Sequence, residues 1–364
     1  MSARVAAQRV AVVGAGNGGL AVAGMAALAG CTVRLHDVDE RVVGPLAYAG
    51  GFEVRGSESG WAAVEAATCD LGEALEGAQI VILVVPGPSQ HAAGVALRPY
   101  LGPEHVVIVL PGCTGGALEV AATISASERG VLVAEVDAFP YACSKPTPTT
   151  SEIAATKAVV HVGCLPAGEA GRAISAISSF LPQTVAAPTV LHTSLSNVNP
   201  VLHVPPMVAN IGWIESAGAS FDFYGDGISP AVAELVAAYD AERVSVAAAL
   251  DVEVAPLLEW VAEAYGIDEP DVHGAVQALH RRVFGPMKAP PTLVHRYLTE
   301  DVPCGSVPTA SLGRQLGVPT PVHDSLIQLA SLACGEDFWA NGRTTETLGI
   351  GGLTATEIRA HVGG

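Results

Sequence analysis

Positive charge is scarce in this chain. Of 364 residues, 18 are Lys or Arg against 36 Asp or Glu, a formal charge of −18. A phosphate backbone would be repelled, so nucleic acid is not an expected partner, and an anionic membrane surface is disfavoured. Small anions stay open, because a few arginines or a helix N-terminus can hold them locally. Cysteine is sparse and scattered. Cys31, Cys69, Cys113, Cys143, Cys164, Cys304 and Cys334 form no CxxC pair, which argues against a disulfide framework or a zinc site and for a reducing cytoplasm. No HExxH spacing occurs either, so no metal is expected. The opening MSARVAAQRV has no apolar stretch leading to a small-residue cleavage site, so it does not read as a signal peptide. One uncharged stretch, residues 10–30, is long enough to span a bilayer. It carries six glycines and breaks at GAGNGG, so no membrane span is expected.

What remains is a globular composition. Half the residues are hydrophobic, and 40 glycines and 25 prolines promise many turns. The length exceeds what one ordinary core organises, so two domains are expected.

The sequence RVAVVGAGNGGLAVAGMAALAGCTVRLHD has the order strand, glycine loop, helix, strand. Arg9 to Val13 suits a buried parallel strand. Gly14, Gly16 and Gly19 fit G-x-G-x-x-G, with Asn17 and Gly18 inside the loop. Gly14 would allow the tight turn, Gly16 the approach of a pyrophosphate, and Gly19 close helix–strand packing, while the helix N-terminus offers N–H groups to the anion. Asp37 ends the second strand about twenty residues on, where a carboxylate can accept from both ribose hydroxyls. A carboxylate there repels a 2′-phosphate, so NAD(H) is favoured, with NADP(H) the second candidate because Arg34 and Arg41 stand nearby. Further strands are expected in residues 79–91, 105–116, 130–143 and 157–166. Ligands bind at the C-terminal ends of such strands, which puts Pro86, residues 112–115 and residues 141–143 toward cofactor or substrate. His91 and His161 read as structural or surface groups.

After about Pro188 the strand pattern fades. Ser229 is an N-cap candidate and Pro230 a first helical residue, and Val232, Leu235, Val236, Tyr239 and Val246 repeat with helical spacing. In TPVHDSLIQLASLACG, Leu326, Leu329 and Ala333 form one stripe ended by Gly335. The expected fold is therefore α/β: an N-terminal Rossmann dinucleotide-binding domain over residues 1–188, then an all-helical C-terminal domain over 189–364, with the active site in the crevice between them. The apolar content of the helical domain also suits a subunit interface, with monomer and homodimer both open, while Trp213, Trp260 and Trp339 read as core anchors. In NVNPVLHVPP, Asn199 can cap, and His203 lies four residues later on the same face. Pro205 and Pro206 forbid normal helix continuation and should kink the helix just past His203. Alone, His203 fits a packed core residue as well as a catalytic one. In HRYLTEDVP, Arg296 could grip a carboxylate and Asp301 could orient a histidine, although both also fit a surface charge.

Taken together, GAGNGG, NPVLH, FYGDGISPAVAELVAAYDAER, RYLTEDVP, LGRQLGVPTPVHDSLIQLAS and GRTTETLGI stand in the order of landmarks of the octopine/nopaline (opine) dehydrogenase family, which the chain resembles over essentially its whole length. The resemblance implies reductive condensation of a 2-oxo acid with the amino group of an amino acid, using a reduced nicotinamide cofactor. It implies His203 as acid/base, Asp301 as its partner and Arg296 as the clamp on a substrate carboxylate. It also implies that the PGCTGG turn and Cys143 line the substrate pocket, so Cys143, Thr114 and Asn199 are substrate-binding candidates. Three positions depart from the pattern: Ser144 before Lys145, the pair Cys304-Gly305, and His323 where an aliphatic residue is common. A keto-acid reductase of the 2-dehydropantoate reductase type shares this layout but commonly uses a lysine of its helical domain. The later chain offers Lys157 and Lys288, neither read into a helix. A non-catalytic NAD-binding protein would need the glycine loop and Asp37 but not His203, Asp301 and Arg296 together.

Overall fold

Five residues, Arg9–Val13, start the fold as β1, the centre of an eight-stranded sheet. The computed structural model describes residues 8–363. They divide into two units. One comprises the described residues through Thr193 together with those from His361 on, and the other is Ser194–Ala360.

In the first unit, β2 (Thr32–His36) and β5 (Ala66–Thr68) lie on one side of β1. On its other side come β6 (Ile80–Leu83), β7 (Val106–Val109), β8 (Leu132–Val136), β11 (Val160–Leu165) and β12 (Thr184–Ala186). Neighbours are parallel except β8 and β11. The strand order therefore reverses between β1 and β6, the switch point at which open α/β sheets bind ligands. The glycine loop leaves β1 there and Pro86 follows β6. A second sheet, in the order β4 (Gly60–Ala63), β3 (Gly51–Gly56), β10 (Thr150–Thr156), β9 (Tyr141–Thr147), was not expected from the sequence. The Asn17–Leu28 helix packs on strands of both sheets. Burial from two sides explains why residues 10–30 are so apolar without being a membrane span. No helix among the described residues is long and apolar enough to cross a membrane.

Residues 130–143 do not form one strand. The chain leaves β8 after Val136 and joins the other sheet at Tyr141. Pro140 lies in the gap, without an N–H to continue a ladder, and its carbonyl accepts from Lys157 N at 2.8 Å.

The second unit is helical, with one isolated bridge between Asp222 and Lys288. Its core combines Val201, Leu202, Val204 and Met207 with Val236, Tyr239, Val276, Leu298 and Ile327, all buried. One expectation is corrected in the helix Asn199–Ala209. Asn199 is its first residue, not its cap, and the side chain of Asn197 accepts from Asn199 N at 3.2 Å. The helix continues through Pro205 and Pro206. Two prolines remove two N–H donors, but Pro205, Pro206, Met207 and Val208 are buried, and Asn210 Nδ2 ties the end by donating to the carbonyls of Pro206 and Gly227, both at 2.8 Å. The stripe of the Pro321–Cys334 helix is likewise shifted. Leu329 is exposed, and His323, Leu326, Ile327 and Ala330 face inward. Trp213 is not a core anchor either: it is 42% exposed and stacks on Phe221.

Candidate active site

In the first unit the glycine loop and Asp37 are locked together. Gly14 has φ +103°, and a Cβ there would sit 2.2 Å from the Val84 carbonyl oxygen. A Cβ at Gly19 would meet the Gly14 oxygen at 1.7 Å, so the loop and helix cannot accept side chains at either position. At Gly16 a Cβ meets nothing within 4 Å, so the space beside that backbone is open. Asn17 opens the helix, Gly18 follows, and no side chain caps the first turn. Asp37 Oδ2 accepts from Ala15 N at 2.8 Å and Oδ1 from Asp39 N at 3.1 Å. The carboxylate is thus aimed by two backbone donors. The nearby arginines are engaged elsewhere: Arg34 pairs with Glu65 at 2.7 Å and Glu76 at 3.3 Å, and Arg41 with Asp39 at 2.7 Å. Arg34 is buried and held by both acids, whereas Arg41 is 89% exposed and uses only Nε and Nη2 on Asp39.

Cys143 belongs to the same neighbourhood. Its thiol donates to the Asn17 carbonyl at 3.5 Å, and burial pushes its pKa up, which keeps it a thiol at neutral pH. Lys145 Nζ donates to the Ala15 carbonyl at 3.2 Å. Pro86 precedes the turn Gly87–Ser89 at the switch point. Thr114 is buried in the loop between β7 and the helix Gly116–Ile124. That loop is fastened by groups the sequence reading did not single out. Glu135, fully buried, accepts from Ala117 N and from Thr193 Oγ1, both at 2.7 Å, and Gln90 Nε2 donates to the Pro111 carbonyl at 3.0 Å. A charge inside the apolar run VLVAEVD was the available signal, since buried carboxylates need partners.

In the second unit the fold brings together two residues 98 positions apart. His203 Nδ1 lies 2.7 Å from Asp301 Oδ2. Their side chains are 12% and 5% exposed, so this is a shielded pair. Asp301 follows the short helix Arg296–Thr299 and begins a π-helical turn, Val302–Ser306, a distortion frequent at functional sites. The other ring nitrogen, Nε2, lies 3.1 Å from the Tyr224 hydroxyl, and Tyr297 stacks on the imidazole at 3.7 Å and 15°. Tyr224 lies in FYGDG and Tyr297 in HRYLTEDVP, and neither was among the candidate site residues. Burial pushes the pKa of Tyr224 well above the usual phenol range and raises that of Tyr297. His295, edge-on to Tyr297, has its pKa lowered by burial. Asn199 is exposed one turn before His203. Arg296 is 60% exposed and pairs with Glu300 at 2.9 Å, so a substrate carboxylate would have to share or displace that acid.

Among the described residues no group of three His, Cys, Asp or Glu is arranged to hold a metal ion. The arrangement can hold a dinucleotide on the first unit and can move a proton at His203 on the second.

The model of the family described as NAD/NADP octopine/nopaline dehydrogenase, alpha-helical domain, matches residues 186–334. An opine dehydrogenase of Arthrobacter sp. (strain 1C) is 38% identical over 358 residues, 97% of this chain and 98% of that protein. An octopine dehydrogenase solved with NADH and L-arginine superposes with a TM-score of 0.80 at 23% identity, covering 98% of both chains. A yersinopine dehydrogenase solved with NADP+ gives 0.74 at 17% identity, again over 98% of both. At those identities the two structures establish likeness of fold.

Proposed function

Because the chain belongs to the opine dehydrogenase family, and is therefore an oxidoreductase acting on CH–NH bonds, we propose that it joins a 2-oxo acid to the amino group of an amino acid at the expense of NADH. The observation that carries the mechanism is the 2.7 Å contact between His203 and Asp301.

The cofactor site fits NADH on the chain's own geometry. The open side of Gly16 and the uncapped first helical turn suit a pyrophosphate, and Asp37 suits a ribose diol. With the Asp37 carboxylate held at the ribose position and Arg34 buried against two acids, NADPH is the poorer cofactor. When bound, the reduced nicotinamide supplies hydride.

His203 does the proton work. A histidine is suited to it because its ordinary titration range spans neutral pH. Asp301 accepts a hydrogen bond from Nδ1–H, fixes the tautomer with Nε2 as the working nitrogen, and stabilises the charge when Nε2 takes a proton. Condensation of amine and 2-oxo acid to an imine expels water, and His203 protonates the departing hydroxyl. Arg296 holds the carboxylate of the oxo acid through parallel N–H bonds, in competition with Glu300. Cys143, Thr114 and Asn199 complete the substrate contacts.

The test follows NADH consumption with pyruvate, 2-oxoglutarate or glyoxylate, with and without amino acids, in the wild type and in His203→Ala. The proposal requires consumption that needs both an oxo acid and an amine and falls by about 100-fold or more in the variant. Consumption with the oxo acid alone would turn the reading toward a keto-acid reductase.

A further inference from the structure

We infer that Gly305 is a positioning residue for the His203–Asp301 pair. Its missing side chain lets the π-helical turn that Asp301 begins close onto the helix that carries His203, and the closeness of that approach sets the length of the bond between the two. This rests on His203 and Asp301 being the working pair of the reaction proposed above.

The two segments meet at two places. Asp301 Oδ2 lies 2.7 Å from His203 Nδ1. One turn away on each segment, Gly305 meets Pro200: a Cβ at Gly305 would lie 2.2 Å from Pro200 Cγ and 2.9 Å from Pro200 Cβ. Pro200 stands three residues before His203 and Gly305 four after Asp301, so both contacts fall on one face of each segment. Gly305 does not have a positive φ, so its backbone does not call for glycine. The space does. Carbon atoms rest about 3.5–4.0 Å apart, and a proline ring has no flexible end to swing aside. A methyl group at position 305 would therefore drive the segments apart by about 1 Å or more.

The turn is not free to absorb such a push by itself. Val302, Pro303, Cys304, Gly305 and Ser306 are all buried, and so is Pro200. The Ser306 hydroxyl lies 2.7 Å from that of the buried Tyr239. Thr309 Oγ1 donates to the Gly305 carbonyl at 2.9 Å, Ser306 N to the Asp301 carbonyl at 3.0 Å, and Arg343 N to the Pro303 carbonyl at 2.9 Å. These bonds make the turn a unit, so a displacement at Gly305 is passed on to Asp301. A contact of 2.7 Å lengthened by about 1 Å leaves hydrogen-bond range. Asp301 then no longer fixes the imidazole, and a misplacement of about 1 Å at a reacting group can cost about 100-fold in rate. Gly305 acts through Asp301 and through no contact of its own with His203. The Tyr239–Ser306 bond supports the same geometry from the far side of the turn.

The experiment compares Gly305→Ala, Pro200→Gly and the pair, with Gly305→Ala also made in an Asp301→Asn background and His203→Ala alongside. Thermal unfolding of each is recorded, and kcat and KM are measured for NADH, oxo acid and amine. Gly305→Ala is expected to lower kcat by roughly 10- to 100-fold with each KM changed less than about threefold. Pro200→Gly removes the ring atoms that the new methyl would strike, so the pair is expected within about threefold of Pro200→Gly alone. In the Asp301→Asn background Gly305→Ala is expected to cost less than about threefold, because the charged bond it acts through is already gone. A folded Gly305→Ala within about twofold of wild type, a loss that Pro200→Gly does not relieve, or an equal loss without the Asp301 carboxylate overturns the inference. If Gly305→Ala does not fold, Tyr239→Phe decides. It unties Ser306 from the far side, and is expected to lower kcat about threefold or more with Asp301 present and not with Asp301→Asn. An active His203→Ala defeats the underlying mechanism instead, whereas an inactive one beside an unaffected Gly305→Ala defeats this inference alone.

Discussion

Asp37→Asn is the substitution that most sharply separates the two nicotinamide cofactors. In the wild type both carboxylate oxygens are pinned, one by Ala15 N at 2.8 Å and one by Asp39 N at 3.1 Å. Asparagine keeps the size but has one acceptor oxygen, so its amide NH2 must face one of those donors. That penalty applies with either cofactor bound and cancels in the ratio of their kcat/KM values. The charge does not cancel. Two unit charges about 4 Å apart repel by about 1 kcal/mol in water and about 4 kcal/mol at an effective dielectric of 20. A 2′-phosphate beside a half-exposed carboxylate falls between these limits, which corresponds to roughly a 10- to 100-fold change in the ratio. Arg34 does not blunt the effect, being buried and paired with Glu65 and Glu76, and the exposed Arg41 keeps the expected change at the lower end of that range. Initial rates of NADH and NADPH oxidation at saturating oxo acid and amine give the ratio in both proteins, and high salt should shrink the difference. A ratio that moves by less than about threefold, or a wild type that prefers NADPH, would refute the reasoning.

Other outcomes follow from the helical unit. Asp301→Asn removes the charge that holds the Nδ1 proton, and should lower kcat by about 100-fold or more with little change in KM in steady-state kinetics. Arg296→Lys cannot make parallel bonds to a carboxylate, and should raise KM for the oxo acid about 10-fold while leaving KM for NADH unchanged. His323 is buried against Glu242 at 2.7 Å and stacked on Tyr239, and burial lowers its pKa from the ordinary 6.5. The unfolded chain then binds the proton more readily than the folded one. The stability His323 contributes is therefore full above pH 6.5 and is lost as pH falls through that value toward the lower folded one. Thermal unfolding should drop more between pH 7.5 and 5.5 in the wild type than in His323→Leu, and equal drops would contradict the burial argument.

The glycine-loop half of the site was legible because it is local. A β-branched run, three glycines in register and an acid at the end of the next strand determine one another over fewer than 30 residues. The second sheet was not legible, because β10 reaches back to β3 from about a hundred residues away and short polar strands carry little pattern. The break at Pro140 and the uninterrupted helix through Pro205 and Pro206 show the same limit from opposite sides. The apolar pattern ran past Pro140, where the strand in fact ends, while the helix continues through two prolines, so packing and not local pattern decides where a proline interrupts. His203 and Asp301 were paired through family resemblance, since no spacing rule joins residues 98 apart. Tyr224 and Tyr297 escaped notice because an aromatic residue beside charged ones reads as packing until its hydroxyl is seen on a ring nitrogen. The ion pairs of Arg34 with Glu65 and Glu76 were not legible, because those acids come from distant turns.

The central claim is that hydride ends on a carbon that becomes bonded to nitrogen. Mass spectrometry of the products formed from pyruvate, an amino-acid pool and NADH deuterated at the transferable position tests it most directly. The account predicts a secondary amine dicarboxylate carrying one deuterium on the carbon contributed by the oxo acid, and none formed by His203→Ala. Deuterium found only in a 2-hydroxy acid, with every amino acid unconsumed, would contradict it.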